Sequence, residues 1–319
     1  MGELALLRWI RARLGRRDGR ILVDSGDDAA VLRFGRSQVL FKTDSVIDGV
    51  HFDSRTARPE AIGHKAIARC LSDVAAMGCA PSFAVVAMMI PRQAREAYIR
   101  RVMLGLERTA RAFRTSIVGG DIAGHRGKLA LSVALLGETR GRPPVRRGGA
   151  RVGDALLVTG PLGGSILGKH LRFTPRVREG LELNRRFKLH AMIDLSDGLA
   201  TDLGHLCEES GVGAVVRESQ LPIAPAARRL ARKDGVSPLR HAISDGEDYE
   251  LLFAIPRAEA PKVVRSGLGR VIGEIGPPPR RSGGGFGRAG GPAKAVSLLR
   301  RDGRLEPLPQ SGWEHRFRR

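Results

Sequence analysis

The sequence predicts a two-domain protein of α/β and α+β class. Three observations predict it. The chain has 319 residues, enough for two ordinary domains and for burying roughly three quarters of the unfolded chain's surface. Its apolar residues alternate between runs that read as strands and runs that recur every three or four positions, which read as helices. A breaker-rich, charged stretch, Gly141-Arg-Pro-Pro-Val-Arg-Arg-Gly-Gly149, falls midway, where a domain boundary belongs.

The elements follow in order. The N-terminal MGELALLRWIRARLGRR reads as a short amphipathic helix, with neither the sustained apolar segment nor the small-residue cleavage site of a leader. A strand is predicted at Ser37 to Thr43 and a helix at Pro59 to Met77, where Ile62, Ala66, Ile67, Leu71, Val74 and Ala75 share one face. Next come a strand at Phe83 to Ile90, a helix from Ala94 to Phe113, and strands near Ser116 to Val118 and Leu129 to Gly137. The boundary then separates residues 1–145 from residues 146–319. The second half opens with a strand at Asp154 to Thr159, turns at the Gly-rich Gly160 to Gly168, and alternates to about Ile275. Residues 276–291 are almost wholly Pro, Gly and Arg and predict a flexible loop.

Composition excludes several classes. With 42% hydrophobic and 27% charged residues the chain is globular, and its longest apolar runs, Phe83 to Ile90 and Leu129 to Leu136, fall short of the ~18 residues a membrane span needs. Cys70, Cys79 and Cys207 form neither a CxxC pair nor an even disulfide framework. A cytoplasmic protein without a membrane partner is therefore expected. The net charge of +21 invites a nucleic-acid reading through counterion release. However, only 8 of the 54 basic residues are lysine, and the arginines run from Arg8 to Arg319 rather than clustering. With 4% aromatics, stacking platforms are scarce. A general arginine bias explains the charge better than a binding surface, so no specific nucleic acid is expected.

The chemistry lies in aspartates beside Gly, Ser or Thr at the ends of apolar runs: Ser25-Gly-Asp-Asp28, Lys42-Thr-Asp44, Ser72-Asp73, Gly119-Gly-Asp121 and Asp194-Leu-Ser-Asp-Gly198. Carboxylates at strand ends suit Mg²⁺, which takes oxygen ligands and is usually shared with phosphate. Gathered without a cation they would repel, by about 4 kcal/mol per pair at ~4 Å and an effective dielectric of 20. For any single Asp-Gly site, turn and cap chemistry is the commoner explanation. Gly163-Gly-Ser-Ile-Leu-Gly-Lys169-His170 nearly fits a phosphate loop, but His170 replaces the Mg²⁺-binding hydroxyl, and a tight strand-to-helix turn explains the glycines as well. Ser244-Asp-Gly-Glu-Asp-Tyr-Glu-Leu-Leu-Phe253 sets carboxylates on a Gly turn, where Glu247 could hold a polar substrate group or Tyr249 could simply pack inward. A lone His is more often satisfied by local hydrogen bonds, but His51 follows the Thr43-Asp44 site closely, which favours substrate contact. Neither a Ser/His/Asp order nor an HExxH motif is present.

Taken together and in order, these motifs resemble the thiamine-monophosphate kinase family, in the superfamily that includes aminoimidazole ribonucleotide synthetase. The matching strings are GDDAAVL (Gly26 to Leu32), KTDSVIDGVHF (Lys42 to Phe52), IGHKAIARCLSDVAAMGCAP (Ile62 to Pro81) and VGGDIAG (Val118 to Gly124). In the second half they are RRGGARVGDALLVTGPLG, PRVREG (Pro175 to Gly180), AMIDLSDGLATDLGHL (Ala191 to Leu206), SGVGA, SDGEDYELLF and GWEHRF. The resemblance implies a two-domain aminoimidazole ribonucleotide synthetase-like fold, with an N-terminal domain that binds ATP and Mg²⁺ and whose sheet pairs with a second copy in a homodimer. It implies ATP- and Mg²⁺-dependent phosphorylation of thiamine phosphate to thiamine diphosphate. Carried over by position, it makes Asp28, Thr43, Asp44, Asp73, Asp121, Asp194 and Asp197 the Mg²⁺ ligands, with Asp73, Asp121 and Asp194 the catalytic set. Gly120, Asp121, Arg147 and Ser196 lie at the nucleotide, and His51, Glu247 and Trp313 at thiamine phosphate.

Three residues depart from the family pattern. Lys42 stands where a hydroxyl residue is common and is expected to weaken one metal site by repulsion. Cys70 stands in place of Asn. Asp245 replaces the first Gly of the GGEDYE turn, which tests whether that position needs positive φ. Two alternatives compete: another ATP-using member of the superfamily, similar to aminoimidazole ribonucleotide synthetase, and a non-catalytic basic nucleic-acid-binding protein. The GDDAAVL and GEDYELLF strings favour the thiamine enzyme. Neither the N-terminal reactive Cys of selenophosphate synthetase nor the C-terminal Cys of the hydrogenase-maturation relative is present.

Overall fold

The computed structural model describes residues 9–10, 18–24, 26–278 and 296–308. Most of the predicted N-terminal helix, most of the 276–291 loop, and Trp313 lie outside them. The chain divides into two compact units. One is Arg16–Pro144 with Gly168–Leu181; the other holds Val145–Leu167 and the described part of Glu182–Arg319.

The first unit is built on a six-stranded sheet. Its strands are β1 (Ile21–Val23), β2 (Ala30–Phe34), β3 (Ser37–Ile47), β4 (Ala80–Pro91), β5 (Ser116–His125) and β6 (Ala130–Glu138), in spatial order β1-β2-β3-β6-β4-β5. Neighbours are antiparallel except β4 and β5, which run parallel. A parallel pair needs a crossover, and α2 (Glu96–Ala112) supplies it. Helix α1 (Pro59–Ala76) starts on a proline, whose fixed φ suits the first helical position, with Glu60 in the first turn favouring the helix dipole. Its buried face carries Ile62, Ala66, Ile67, Cys70, Leu71 and Val74. The two helices meet backbone to backbone: a Cβ at Gly63 would sit 1.9 Å from the Val102 carbonyl oxygen, and one at Gly105 would sit 2.0 Å from that of Glu60.

Strands β3 and β5 are longer than the apolar runs that announce them. β3 continues through Lys42-Thr43-Asp44 to Ile47, and β5 continues through Gly119-Gly120-Asp121 to His125. The expectation that the aspartates close apolar runs is therefore corrected. Asp44 and Asp121 lie within strands, Asp73 lies within α1, and Asp28 sits in the turn before β2. The reason is the two-residue alternation of a strand, which continues past its last apolar residue as long as ladder hydrogen bonds do.

The second unit holds β7 (Ala155–Val158), β8 (Ala191–Asp194), β9 (Gly213–Arg217), β10 (Leu251–Ile255), β11 (Arg270–Gly276), β12 (Val296–Leu299) and β13 (Leu305–Pro307) in one sheet, ordered β13-β12-β9-β11-β7-β10-β8. β7, β8 and β10 are buried throughout, as short unbroken apolar runs require. The helices, in chain order, are α3 (Val177–Arg186), which begins in the first unit, then α4 (Leu199–Ser210), α5 (Pro225–Asp234), α6 (Pro238–Ser244) and α7 (Ala260–Arg265). Leu203 and Leu206 of α4 join Leu156, Ile193, Leu252, Ile272 and Leu298 in the core. Asp194 is the one predicted aspartate that closes a strand.

The helix contact makes Gly105 a packing residue. Gly105→Val is expected to cost at least about 1–3 kcal/mol by overpacking. Gly276→Ala, with nothing within 4 Å of the added carbon, should stay within about 0.5 kcal/mol. Urea midpoints of the two variants check this; equal midpoints would refute the close approach.

Candidate active site

In the first unit, Asp28 and Asp73 are both buried, and a carboxylate oxygen of one lies within 4.8 Å of one from the other. The same region carries cations. Lys42 Nζ lies 3.0 Å from Asp73 Oδ2, and Arg69 Nε lies 3.1 Å from Asp44 Oδ2. Burial opposes charge on Lys42, but the carboxylates of Asp73 and Asp44 outweigh it and raise its pKa. The Cys70 pKa is raised as well, chiefly by burial and then by the same two carboxylates, so its thiol stays protonated and donates to the Val133 carbonyl.

Alternation along β3 separates neighbours in sequence. Lys42 and Asp44 share the side of Leu40 and Val46, which is the buried side, whereas Thr43 is exposed on the other, its Oγ1 3.5 Å from Ser132 Oγ. Asp121 lies on Thr43's side. It pairs in register with Ala87 of β4, itself opposite Ser132, and it is exposed. Gly120 is fixed by packing, since a Cβ there would come 2.0 Å from the Val86 carbonyl oxygen. His51 closes the turn after β3. Its Nδ1 accepts from the Ile47 amide at 3.1 Å, which leaves Nε2 as the protonated nitrogen of the neutral ring, and its carbonyl accepts from Lys65 Nζ.

In the second unit, Asp194 ends β8 and the chain turns through Ser196, Asp197 and Gly198 into α4. Asp202, a residue that motif reading passed over, receives the Asp197 and Gly198 amides on Oδ2 at 3.0 and 3.1 Å. Burial, and then the charges of Asp197 and Asp194, raise its pKa well above the usual carboxylate range. The available signal was an acid in the first turn of a helix, where amides lack partners. Arg147 contributes positive charge toward Asp202, and its carbonyl accepts from Ser210.

The Ser244–Glu250 segment lies along this turn. The Glu247 amide donates to the Ser196 carbonyl at 2.7 Å and the Tyr249 amide to that of Leu195 at 2.8 Å. Glu247 and Tyr249 both hold positive φ, 53° and 50°, a conformation costly for residues other than glycine and concentrated at functional sites. Asp245, in contrast, is right-handed helical at φ −66°, so its replacement of Gly carries no backbone strain. The positive φ falls one residue later, on Gly246.

Asp245 instead has a binding task within the fold. Its Oδ2 accepts the Gly164 amide at 2.7 Å, Asp248 accepts the Gly163 amide at 3.0 and 2.9 Å, and Glu250 accepts the Thr159 hydroxyl at 2.7 Å. The amides that a phosphate loop would present at Gly163 and Gly164 are thus spent on carboxylates. The tight-turn reading of that stretch is the correct one.

With this geometry in place, the comparisons are specific. The family model for AIR synthase related protein, N-terminal domain, matches residues 26–139, and that for the C-terminal domain matches residues 151–282. The thiamine-monophosphate kinase of Rhodopirellula baltica is 39% identical over 88% of this chain and 90% of its own length. The chain belongs to the thiamine-monophosphate kinase family of AIR synthase related proteins. The Aquifex aeolicus thiamine-monophosphate kinase is 33% identical over 81% of this chain and 87% of its own. A solved structure described as AaThiL complexed with AMPPCP and TMP superposes with a TM-score of 0.81 at 30% identity, covering 98% of this chain and 97% of that one.

In this family member, the Gly163–Gly164 turn is tied to an ionisable group as well. His241 Nδ1 lies 2.9 Å from Asp245 Oδ1, and its Nε2 lies 3.3 Å from Asp234 Oδ1. Burial lowers the pKa of His241, but Asp245 and Asp234 outweigh it and the net shift is upward from 6.5. A raised folded-state pKa means stabilisation that is complete in acid below 6.5 and lost as pH rises through the raised value. Wild type should therefore lose its Tm advantage over His241→Gln between pH 6 and pH 9, on the order of the span where histidine titrates. A constant difference across that range would remove the ion pair from the account.

Proposed function

We propose that this chain transfers the γ-phosphoryl group of ATP to thiamine phosphate, giving thiamine diphosphate and ADP. The observation that carries the reading is the buried Asp28–Asp73 carboxylate pair, in a chain whose relatives are named for this activity. The AMPPCP and TMP in the AaThiL complex support the same pair of substrates.

An all-oxygen donor set on buried carboxylates fits Mg²⁺. To holding Mg²⁺ ions, rather than one shared ion, we assign the buried Asp28 and Asp73 with Asp44; Thr43 and Asp121 on the exposed side of the same sheet; and Asp194 and Asp197 of the second unit. Asp73, Asp121 and Asp194 are the catalytic group in this reading. Bound Mg²⁺ supplies charge neutralisation, so that two anionic phosphates can approach. Gly120, Asp121, Arg147 and Ser196 take the nucleotide: Arg147 offers a guanidinium to phosphate, and Gly120 leaves the backbone bare. His51 presents a protonated Nε2 to the acceptor phosphate. Glu247 sets a carboxylate toward the cationic thiazolium, and Trp313, outside the described residues, is assigned to the same ring through cation–π stacking.

An oxygen of the acceptor phosphate attacks the γ-phosphorus of ATP as the bond to ADP breaks. The acceptor is ionised near neutral pH, so the residues need only align and neutralise; no proton has to be removed.

Residues 1–145 form the ATP- and Mg²⁺-binding domain in this reading, and 146–319 the second. The homodimer reading is supported by the open face of the first sheet, where Phe41, Phe83, Val85 and Leu136 are exposed beside Thr43 and Asp121, and by edge strand β5, with Val118 and Ile122 62% and 66% exposed. A cytoplasmic location accords with three buried free thiols, and among the described residues no helix is long and apolar enough to cross a membrane.

Incubation of the purified chain with ATP, Mg²⁺ and thiamine phosphate should yield thiamine diphosphate by chromatography; no product at any Mg²⁺ concentration refutes the assignment. Asp121→Asn should lower kcat by about 10²–10³, the usual cost of losing one electrostatic contact to the transition state, with an unchanged Tm because the residue is exposed. Val118→Glu should convert a dimer to a monomer by sedimentation; a monomeric wild type would dismiss the pairing.

A further inference from the structure

Two side-chain cations already stand among the acids of the first unit. Lys42 reaches Asp73 at 3.0 Å from the buried side of β3, and Arg69 reaches Asp44 at 3.1 Å from α1. A second guanidinium nitrogen of Arg69 donates to the Ser45 carbonyl at 3.2 Å, which anchors that cation to the strand. The lysine and aspartate side chains are only 23% and 10% exposed, so water does little to screen them. Asp28, Asp44 and Asp73 bring three negative charges and Lys42 and Arg69 two positive ones. These five side chains of the first unit sum to a single negative charge.

A divalent ion placed between Asp73 and Asp44 would meet the Lys42 ammonium at close range and gain little from carboxylates already neutralised. An ammonium, unlike a bound ion, cannot leave. We propose that Lys42 is a resident cation of this site: beside Asp73 it takes a position that a divalent ion would otherwise fill, so the chain binds one divalent ion fewer than its carboxylates alone would hold. The inference rests on the assignment of these carboxylates to cation binding, and it recasts the expected repulsion by Lys42 as replacement. Asp73 thereby serves Lys42 with one oxygen and remains near Asp28. Part of the charge neutralisation at the site persists when free Mg²⁺ is withdrawn.

The test counts ions. Mn²⁺ bound per chain is measured by the paramagnetic resonance of free Mn²⁺, without nucleotide or thiamine phosphate, so an inactive kinase leaves the readout intact. Lys42→Ser is expected to bind one more Mn²⁺ than wild type, and Lys42→Arg the same number as wild type. Equal counts for wild type and Lys42→Ser overturn the proposal. Should Lys42→Ser fail to fold, the wild type decides alone: Lys42 is expected to stay protected from an amine-acylating reagent, read by peptide mass spectrometry, with and without saturating Mg²⁺. Labelling that rises when Mg²⁺ is added means that the ion displaces the lysine, and overturns it equally.

Discussion

Buried negative charge has to be matched, and much of this protein's local architecture follows from that constraint. Asp28 and Asp73 lie too deep and too close for water alone to support both charges. Lys42 and Arg69 meet part of the requirement with side chains, each drawn from a neighbouring element, one from β3 and one from α1. Cys70, under the field of Asp44 and Asp73, likewise keeps its proton and so stays neutral. A site arranged in this way is already partly neutralised before any ligand arrives, which suits a reaction between two phosphates.

The second unit solves the same problem with amides. Asp245 and Asp248 take the main-chain N–H groups of Gly164 and Gly163, while Asp202, pushed toward its neutral form, receives those of Asp197 and Gly198. Carboxylates that accept from backbone amides hold loops rigidly, because each bond to a charged group is worth about 1.5–3 kcal/mol. That rigidity offsets the strain at Glu247 and Tyr249, whose positive φ values place Glu247 beside Ser196. The turn that resembles a phosphate loop thus belongs to the scaffold, and the strained segment beside it carries the candidate substrate contact.

Three glycines of the first unit serve close approach. Gly63 and Gly105 let α1 and α2 touch through their backbones, and Gly120 lets β5 lie against β4 without a side chain in the way. Close helix packing sets the depth of Asp73 and Cys70 on α1. Asp121 is the acidic group on a sheet face that also presents Thr43 and Ser132.

The order of motifs, the two-domain class and the main helices were legible in the sequence because they depend on local pattern: a proline start and a repeating apolar face for α1, and unbroken apolar runs for β7, β8 and β10. The aspartates were legible as a set through their Gly, Ser and Thr neighbours. What a linear string could not decide is which side of a sheet each one faces. Thr43 and Asp44 are adjacent in sequence and opposite in space, since successive strand residues point apart. Lys42 read as a threat to a metal site, and Asp245 as a strained turn; their roles depend on partners 31 and 81 residues away, Asp73 and Gly164. Local chemistry chose the residues, and tertiary packing chose their partners, because electrostatic compensation acts through distance in space and not along the chain.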